Sequence, residues 1–459
     1  MGKRKTLDHD GVWRPKKFYY EFTNERLTTT AGLGPVIDVY SRSPQYPKLK
    51  ECIPKRSGNA SYDSMQFALT LLGGFWHGYD CIEDLEKFED KPDVMAKLQS
   101  IPSARAIGDF LREFNSDHIE KLNQHLTQQG LAARKQLAPE KPLILDQDST
   151  THVQCGEKIE GLGKNYKGEW GLESLDSFDE LGFSYGFRLR EGGTFSSVGA
   201  PAEIKRIFSH LPKEEKKFYR ADSAFCNEEV VTACMEHKAK FTITAHGNTL
   251  WEEKIPTITN WEKWKYSEEE LKQAEIRKEK LPEIELGSFV YQPGWAENLR
   301  FYVVVKKTKV SVKDGANLFE HAQGGLRYWG VLTNWNLYER SKQEVIEFHS
   351  KRGNSENFIK EQKISFDLKH FPCIKLNANH AYGLLGMVSH NFLRAISHLD
   401  NPDKPHYAKK LRHTYIILPG KLVEHARKLV LRIPVQFRKE VELMTTGWAG
   451  TLEAALAMG

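Results

Sequence analysis

The stretch PEKPLILDQDST, residues 139–150, is where the chain changes character. Leu143, Ile144 and Leu145 form a short apolar run that leads straight into Asp146 and Asp148, so both acids are expected at the carboxyl end of a buried strand. Downstream, FSYGFRLREGG (183–193) sets Phe183, Tyr185, Phe187 and Leu189 against Ser184, Gly186, Arg188 and Arg190, the period of two expected of a half-buried strand. PAEIKRIFSHL (201–211) reads as a helix, FYRADS (218–223) as a strand, NEEVVTACMEHK (227–238) as a helix capped by Asn227, and KFTITA (240–245) as another strand. Strands followed by alternating helix and strand specify a mixed α/β core.

On the amino-terminal side the pattern is helical from about 60 to 135, with SYDSMQFALTLLGGFWHGY bunched as in a buried helix and Pro102-Ser103 opening another. Beyond 245 the rhythm breaks. A charge-dense SEEELKQAEIRKEK (267–280) is followed by two strand-like runs, LRFYVVVKK (299–307) and LRYWGVLT (326–333). Six of the ten tryptophans (251, 261, 264, 295, 329, 335) fall here, which suggests an insertion with its own small core. Helical patterning resumes to about 400. From Lys409 to Lys439 there are nine Lys or Arg against one acid, Glu424. The expected divisions are 1–138, a helical domain with a basic tail; 139–245 and 339–400, two parts of one core; 246–338, the insertion; and 401–459, a basic region for DNA binding or dimerisation.

Over 459 residues, 66 Lys and Arg face 61 Asp and Glu, a net +5, so the average charge names no partner. The basic amino-terminal tail (Lys3, Arg4, Lys5, Arg14, Lys16, Lys17) lacks the apolar segment of a secretory signal, and no apolar run is long enough to cross a bilayer, so a cytoplasmic location is expected. The six cysteines have no zinc-site spacing and read as reduced thiols. GEKIEGLGK (156–164) spaces Gly156 and Gly161 as a P-loop would, but Leu162 stands where the lysine is needed, so no nucleotide triphosphate is expected.

The acids carry the chemistry. Asp146, Asp148 and Asp222 all follow apolar strands, and strand ends of an α/β sheet open onto ligand crevices. Taken singly, each reads first as a turn or cap residue: Asp148 opening a turn through Ser149-Thr150, Asp222 capping the helix that begins near Asn227. EVIEFHSKRGNSENFIKEQKISF (344–366) says more. At about 100° per residue His349, Arg352, Glu356, Lys360 and Lys363 fall within about 80° of one another. One acid amid possible cations suits a carboxylate on a metal beside groups that grip phosphate.

The spacing His349-x2-Arg352-x3-Glu356-x6-Lys363 resembles the Tyr-x2-Arg-x3-Glu-x6-Lys signature of DDE transposases of bacterial insertion sequences, with His in place of Tyr. LDQDST resembles the family's first catalytic Asp segment and YRADSAF the second. The tract from LLGGFWHGYDCIEDLEKFEDKP through PSARAIGDFLREF resembles its helical amino-terminal region. The resemblance implies a ribonuclease-H-like mixed sheet with an inserted β-rich subdomain, in which Asp148, Asp222 and Glu356 are catalytic and hold two divalent ions, Mg²⁺ or Mn²⁺. Asp146 competes with Asp148, but Asp-Ser-Thr is the better match to the family's Asp-x-Thr. His349, Arg352, Lys360 and Lys363 would bind DNA. The implied activity is cut-and-paste transposition by a homodimer on double-stranded DNA, with a base flipped onto a tryptophan of the insertion. The alternatives are a nuclease on the same core and a non-catalytic DNA-binding descendant.

Overall fold

The computed structural model describes residues 19–245, 253–295, 299–309, 325–448 and 450–451. The basic tail at positions 3–17 and Trp251 lie outside the described residues.

A short strand β1 (Leu27–Thr28) leads into six helices: α1 (Leu33–Arg42), α2 (Gln45–Cys52), α3 (Ser64–His77), α4 (Pro92–Leu98), α5 (Ala104–Arg112) and α6 (Ser116–Leu137). Helix α3 begins at a capping box: Asp63 accepts from the Met65 N–H at 2.8 Å, and Gln66 accepts from the Asp63 N–H at 2.9 Å. It ends where Gly78 takes φ 92°, a conformation open to glycine. Between these caps Met65, Phe67, Ala68, Leu71, Leu72, Phe75 and Trp76 are all buried, the mark of a helix enclosed on every side. Ser103 and Asn115 cap the starts of α5 and α6 through their side chains.

The sheet follows: β2 (Leu143–Val153), β3 (Gly163–Lys164), β4 (Trp170–Asp179), β5 (Ser184–Arg190), helix α7 (Ala200–Ser209), β6 (Lys217–Ala221), α8 (Glu228–Glu236) and β7 (Lys240–Thr244). Strands β2, β6 and β7 run parallel, with α8 as the crossover; β4 pairs antiparallel to both β2 and β5. Strand β5 is not half-buried as its alternation predicts. Ser184 and Gly186 are buried too, because α6 packs on one side and α7 on the other. A Cβ on Gly186 would lie 2.6 Å from Glu203 of α7, so the missing side chain is what admits that helix.

The chain then gives β8 (Glu262–Lys263), α9 (Glu268–Arg277), β9 (Ile284–Tyr291), β10 (Phe301–Lys309) and β11 (Leu326–Thr333). These strands continue the same sheet: β11 pairs antiparallel with β7, and the order is β3-β4-β2-β6-β7-β11-β10-β9-β8, with β5 on β4. Leu286, Val304, Val331 and Trp335 gather with Val345 and Ile346 in a cluster apart from the main core.

Helices α10 (Lys342–Ser350) and α11 (Gly353–Ser365) replace the single helix expected over 344–366. Arg352 N–H donates to His349 O at 2.9 Å and Ser355 N–H to Arg352 O at 2.9 Å, three-residue turns tighter than an α-helix. Gly353, a poor helix former, sits within this tightened turn. Helix α12 (Leu376–Asp400) is buried from Ala378 to His398 and packs on α3, α5, α6 and β5. The hairpin β12 (Gly420–His425) and β13 (Lys428–Arg432) adds a second sheet with β1, which joins the two ends of the described chain. No helix of the described residues is long and apolar enough to cross a membrane.

Candidate active site

Strand β2 does not end at its acids. It continues to Val153, because β4 pairs with it throughout, from Leu145↔Asp179 to Val153↔Gly171. What ends there is β6: the last parallel partners are Asp146↔Arg220, and two residues further along each strand stand Asp148 and Asp222. Asp148 therefore opens no turn; it projects from a strand where its parallel neighbour stops. Asp222 does act as a cap, accepting from the Ala224 N–H at 2.9 Å, but for the turn Ser223–Phe225; the helix after it is capped by Asn227, which accepts from the Val230 N–H at 3.0 Å.

The two candidates for the first acid differ in what they hold. Asp146 is fully enclosed and spends both oxygens on Arg220, at 2.6 Å from Nε and 2.7 Å from Nη2. Arg220 Nη1 also donates to Phe348 O at 2.8 Å, which ties β6 to α10. Asp148 is less committed: it accepts from the Ser149 N–H at 2.8 Å and from Arg352 Nη1 at 3.1 Å. Burial pushes its carboxyl up to about 6, opposed by Arg352 and reinforced by the negative charge of Asp222. Arg352 reaches Glu356 as well, at 3.4 Å, so one guanidinium stands between two of the three acids. Glu356 itself is exposed. Among the described residues no three His, Cys, Asp or Glu side chains converge closely enough to hold a metal ion.

The remaining candidates separate. His349 is not on the face that carries Glu356, because the tightened turn intervenes. It is buried, with Nε2 3.0 Å from Thr244 Oγ1 and Nδ1 3.1 Å from Thr242 Oγ1. Burial, with Arg352 nearby, pushes it down to about 3. His349, expected among the DNA-binding residues, is here a buried histidine that fastens α10 to β7. Lys360 is exposed. Lys363 turns onto β2, donating to Thr150 Oγ1 at 2.6 Å and Thr151 O at 2.7 Å. Among the tryptophans of 246–338, Trp335 is buried and Trp261, Trp264, Trp295 and Trp329 are half-buried.

Beneath the acids lies a buried polar chain that sequence reasoning missed. Asp176 of β4, the direct cross-strand partner of Asp148, accepts from Gln362 Nε2 of α11 at 3.0 Å and from Ser174 Oγ at 2.6 Å, and Ser174 meets His152 Nε2 at 2.8 Å. Burial pushes Asp176 up to about 6, with those two hydrogen bonds and then Lys363 opposing. A signal was present: WGLESLDSFD is too polar for a strand buried along nearly its whole length, unless another element supplies partners.

A mixed sheet of order β5-β4-β2-β6-β7, with carboxylates where its parallel strands end, is compatible with a ribonuclease-H-like core. Family comparison defines the chain further: the family described as Transposase DDE domain group 1 matches residues 12–446, and the chain belongs to it. It is a DDE transposase. No curated protein matches the chain.

Proposed function

We propose that this chain cuts double-stranded DNA at the ends of its own element and joins them to a target, cut-and-paste, on a ribonuclease-H-like core. The observation that carries this reading is the adjacency of Asp148 and Asp222 where β6 ends, with Glu356 linked to Asp148 through Arg352. All three donors are carboxylates, the ligands that suit hard divalent ions, and in this reading two ions, Mg²⁺ or Mn²⁺, would draw together the three side chains that stand apart here. When bound, the ions supply an activated water or DNA 3′-hydroxyl and stabilise the leaving oxygen.

The chain's own groups do the rest. Arg352 offsets the repulsion between the acids. Lys360, one helical turn beyond Glu356 and exposed, reaches the DNA backbone. Lys363, bonded to Thr150 and Thr151, holds β2 beside Asp148 rather than a phosphate. In the same reading residues 1–138 form a DNA-binding helical domain, 139–245 and 339–400 the catalytic core, 246–338 an insertion, and 401–459 a basic region, with a homodimer acting on the two ends.

The test is cleavage of a labelled duplex taken from the DNA flanking the coding region, with Mg²⁺ or Mn²⁺. Asp148→Ala, Asp222→Ala and Glu356→Ala should each abolish cutting while leaving end binding intact; wild-type cutting by any of them sinks the assignment. A pre-cleaved 3′-hydroxyl end supplied with target plasmid should give joined product, which a nuclease would not form.

A further inference from the structure

The register of the carboxy-terminal hairpin sorts its charges onto two faces. Directly opposed residues of an antiparallel pair share a face, and alternate residues along a strand do too. The pairs Lys421↔Arg432, Val423↔Val430 and His425↔Lys428 therefore lie on one face, and Leu422↔Leu431 and Glu424↔Leu429 on the other. The one acid between Lys409 and Lys439, Glu424, is exposed and falls on the face with Leu422, which is buried, and Leu429, which is 54% exposed. The opposite face carries Lys421, Lys428, Arg432 and His425 around two valines, of which Val430 is 39% exposed. Of these cations, Lys421 is paired with Glu25, beside β1.

Two features of this ribbon cost stability in the free protein. Lys421 opposite Arg432 places like charge directly across the strands, a repulsion that Glu25 offsets at Lys421 and nothing in the hairpin offsets at Arg432. The hairpin turn is Ala426-Arg427, at φ 50° and 60°, a left-handed pair for which Asn-Gly is the ordinary choice. Both place positive charge outward, Arg427 at the tip and the cross-strand pairs along the ribbon, and a polyanion relieves the repulsion. The spacing suits one polyanion in particular. Four residues separate Lys421/Arg432 from His425/Lys428, about 13 Å along the strands, and a two-stranded ribbon enters the major groove of B-DNA, about 12 Å wide.

We propose that the β12–β13 hairpin is a DNA-binding ribbon, with Lys428, Arg432 and Arg427 contacting phosphates of duplex DNA from its cationic face. This deepens the functional reading above and rests on it for the identity of the polyanion. The acids of β2 and β6 play no part in it, so binding through the ribbon requires neither metal nor Asp148.

The experiment measures fluorescence anisotropy of a labelled duplex from the element's flank against salt concentration, for the full chain and for Lys428→Ala/Arg432→Ala. Each lost phosphate contact should lower the slope of log affinity on log salt by about one, so the double variant should lose about two. Its thermal midpoint should stay the same or rise, since like-charge repulsion is removed. Lys428→Glu, run in parallel, should weaken binding further and leave the circular dichroism spectrum unchanged. Wild-type slope and affinity in both variants overturn the ribbon. So does a change in sedimentation of the free protein with DNA binding unaltered, which makes this face a contact between copies. If the wild-type chain binds no duplex at all, the functional reading fails first.

Discussion

Two basic regions of this molecule, α10–α11 and the β12–β13 hairpin, look alike as sequence, yet of the four residues expected to meet DNA in the first only Lys360 is exposed. On the first, Arg352 is spent on Asp148 and Glu356, Lys363 on Thr150 and Thr151, and the imidazole of His349 is buried and neutral. Arg412, in the same basic tract as the hairpin, belongs with them: it donates to Trp76 O at 3.0 Å and Phe75 O at 2.6 Å, and to Ser365 O, so it closes the ends of α3 and α11 at once. On the hairpin, Lys428 and Arg432 face outward. A cation's place in the chain says little about whether it meets a ligand; what decides is whether buried carboxylates or carbonyls lie within its reach.

That contrast can be broken by acid, by removing an inward cation, or by removing a helix-closing one. The largest effect should come from pH. His152, His349 and His380 are held down to about 3, 3 and 4 by burial, below the ordinary value of about 6.5. At these three positions the unfolded chain takes up protons first, so their contribution to stability is full above pH 6.5 and falls as pH drops through the window below it, while the raised carboxyls of Asp148 and Asp176 act in the opposite sense. At pH 5 each histidine should cost about 2 kcal/mol relative to pH 8. Urea titrations of the wild type and of His380→Asn at the two pH values check this: the variant's loss between pH 8 and pH 5 should be smaller by about 2 kcal/mol, and equal losses in the two proteins would contradict it. Next, Arg220→Met strands Asp146 in the core and should cost about 3–5 kcal/mol. Last, Arg412→Met should cost about 2–3 kcal/mol by leaving carbonyl groups of α3 and α11 without donors. Both losses are read in denaturant, and neither variant should change the salt slope of DNA binding by the remaining folded protein, whereas the hairpin variants should do the reverse.

Much of this was legible in the sequence, and the failures have physical causes. LRYWGVLT matches β11 residue for residue, and Asn227 caps its helix as expected, because alternation and capping are local effects. The end of β2 was misread because strand length is set by a partner: apolar residues stop at Leu145, but β4 pairs on to Val153. His349 was placed with Glu356 by assuming a constant helical pitch, which the tightened turn around Gly353 removes. Asp176 went unnoticed because its partner Gln362 lies on a distant part of the chain. The match to the family spans nearly everything described here, yet these three points depend on pairings that no spacing rule encodes.

The small sheet that joins β1 to β12 has a consequence for synthesis. Leu27 and Thr28 find their strand partners only in Lys421 and Gly420, and Arg412 must arrive before α3 is closed at its carboxyl end. Helices α1 to α3 thus wait, unsealed, for residues made far later in the same chain, and closing so long a loop is slow relative to local folding. A chain broken off before the hairpin lacks both the seal on its amino-terminal layer and the proposed DNA ribbon, so incomplete products are disarmed by the same strand pairing that completes the fold.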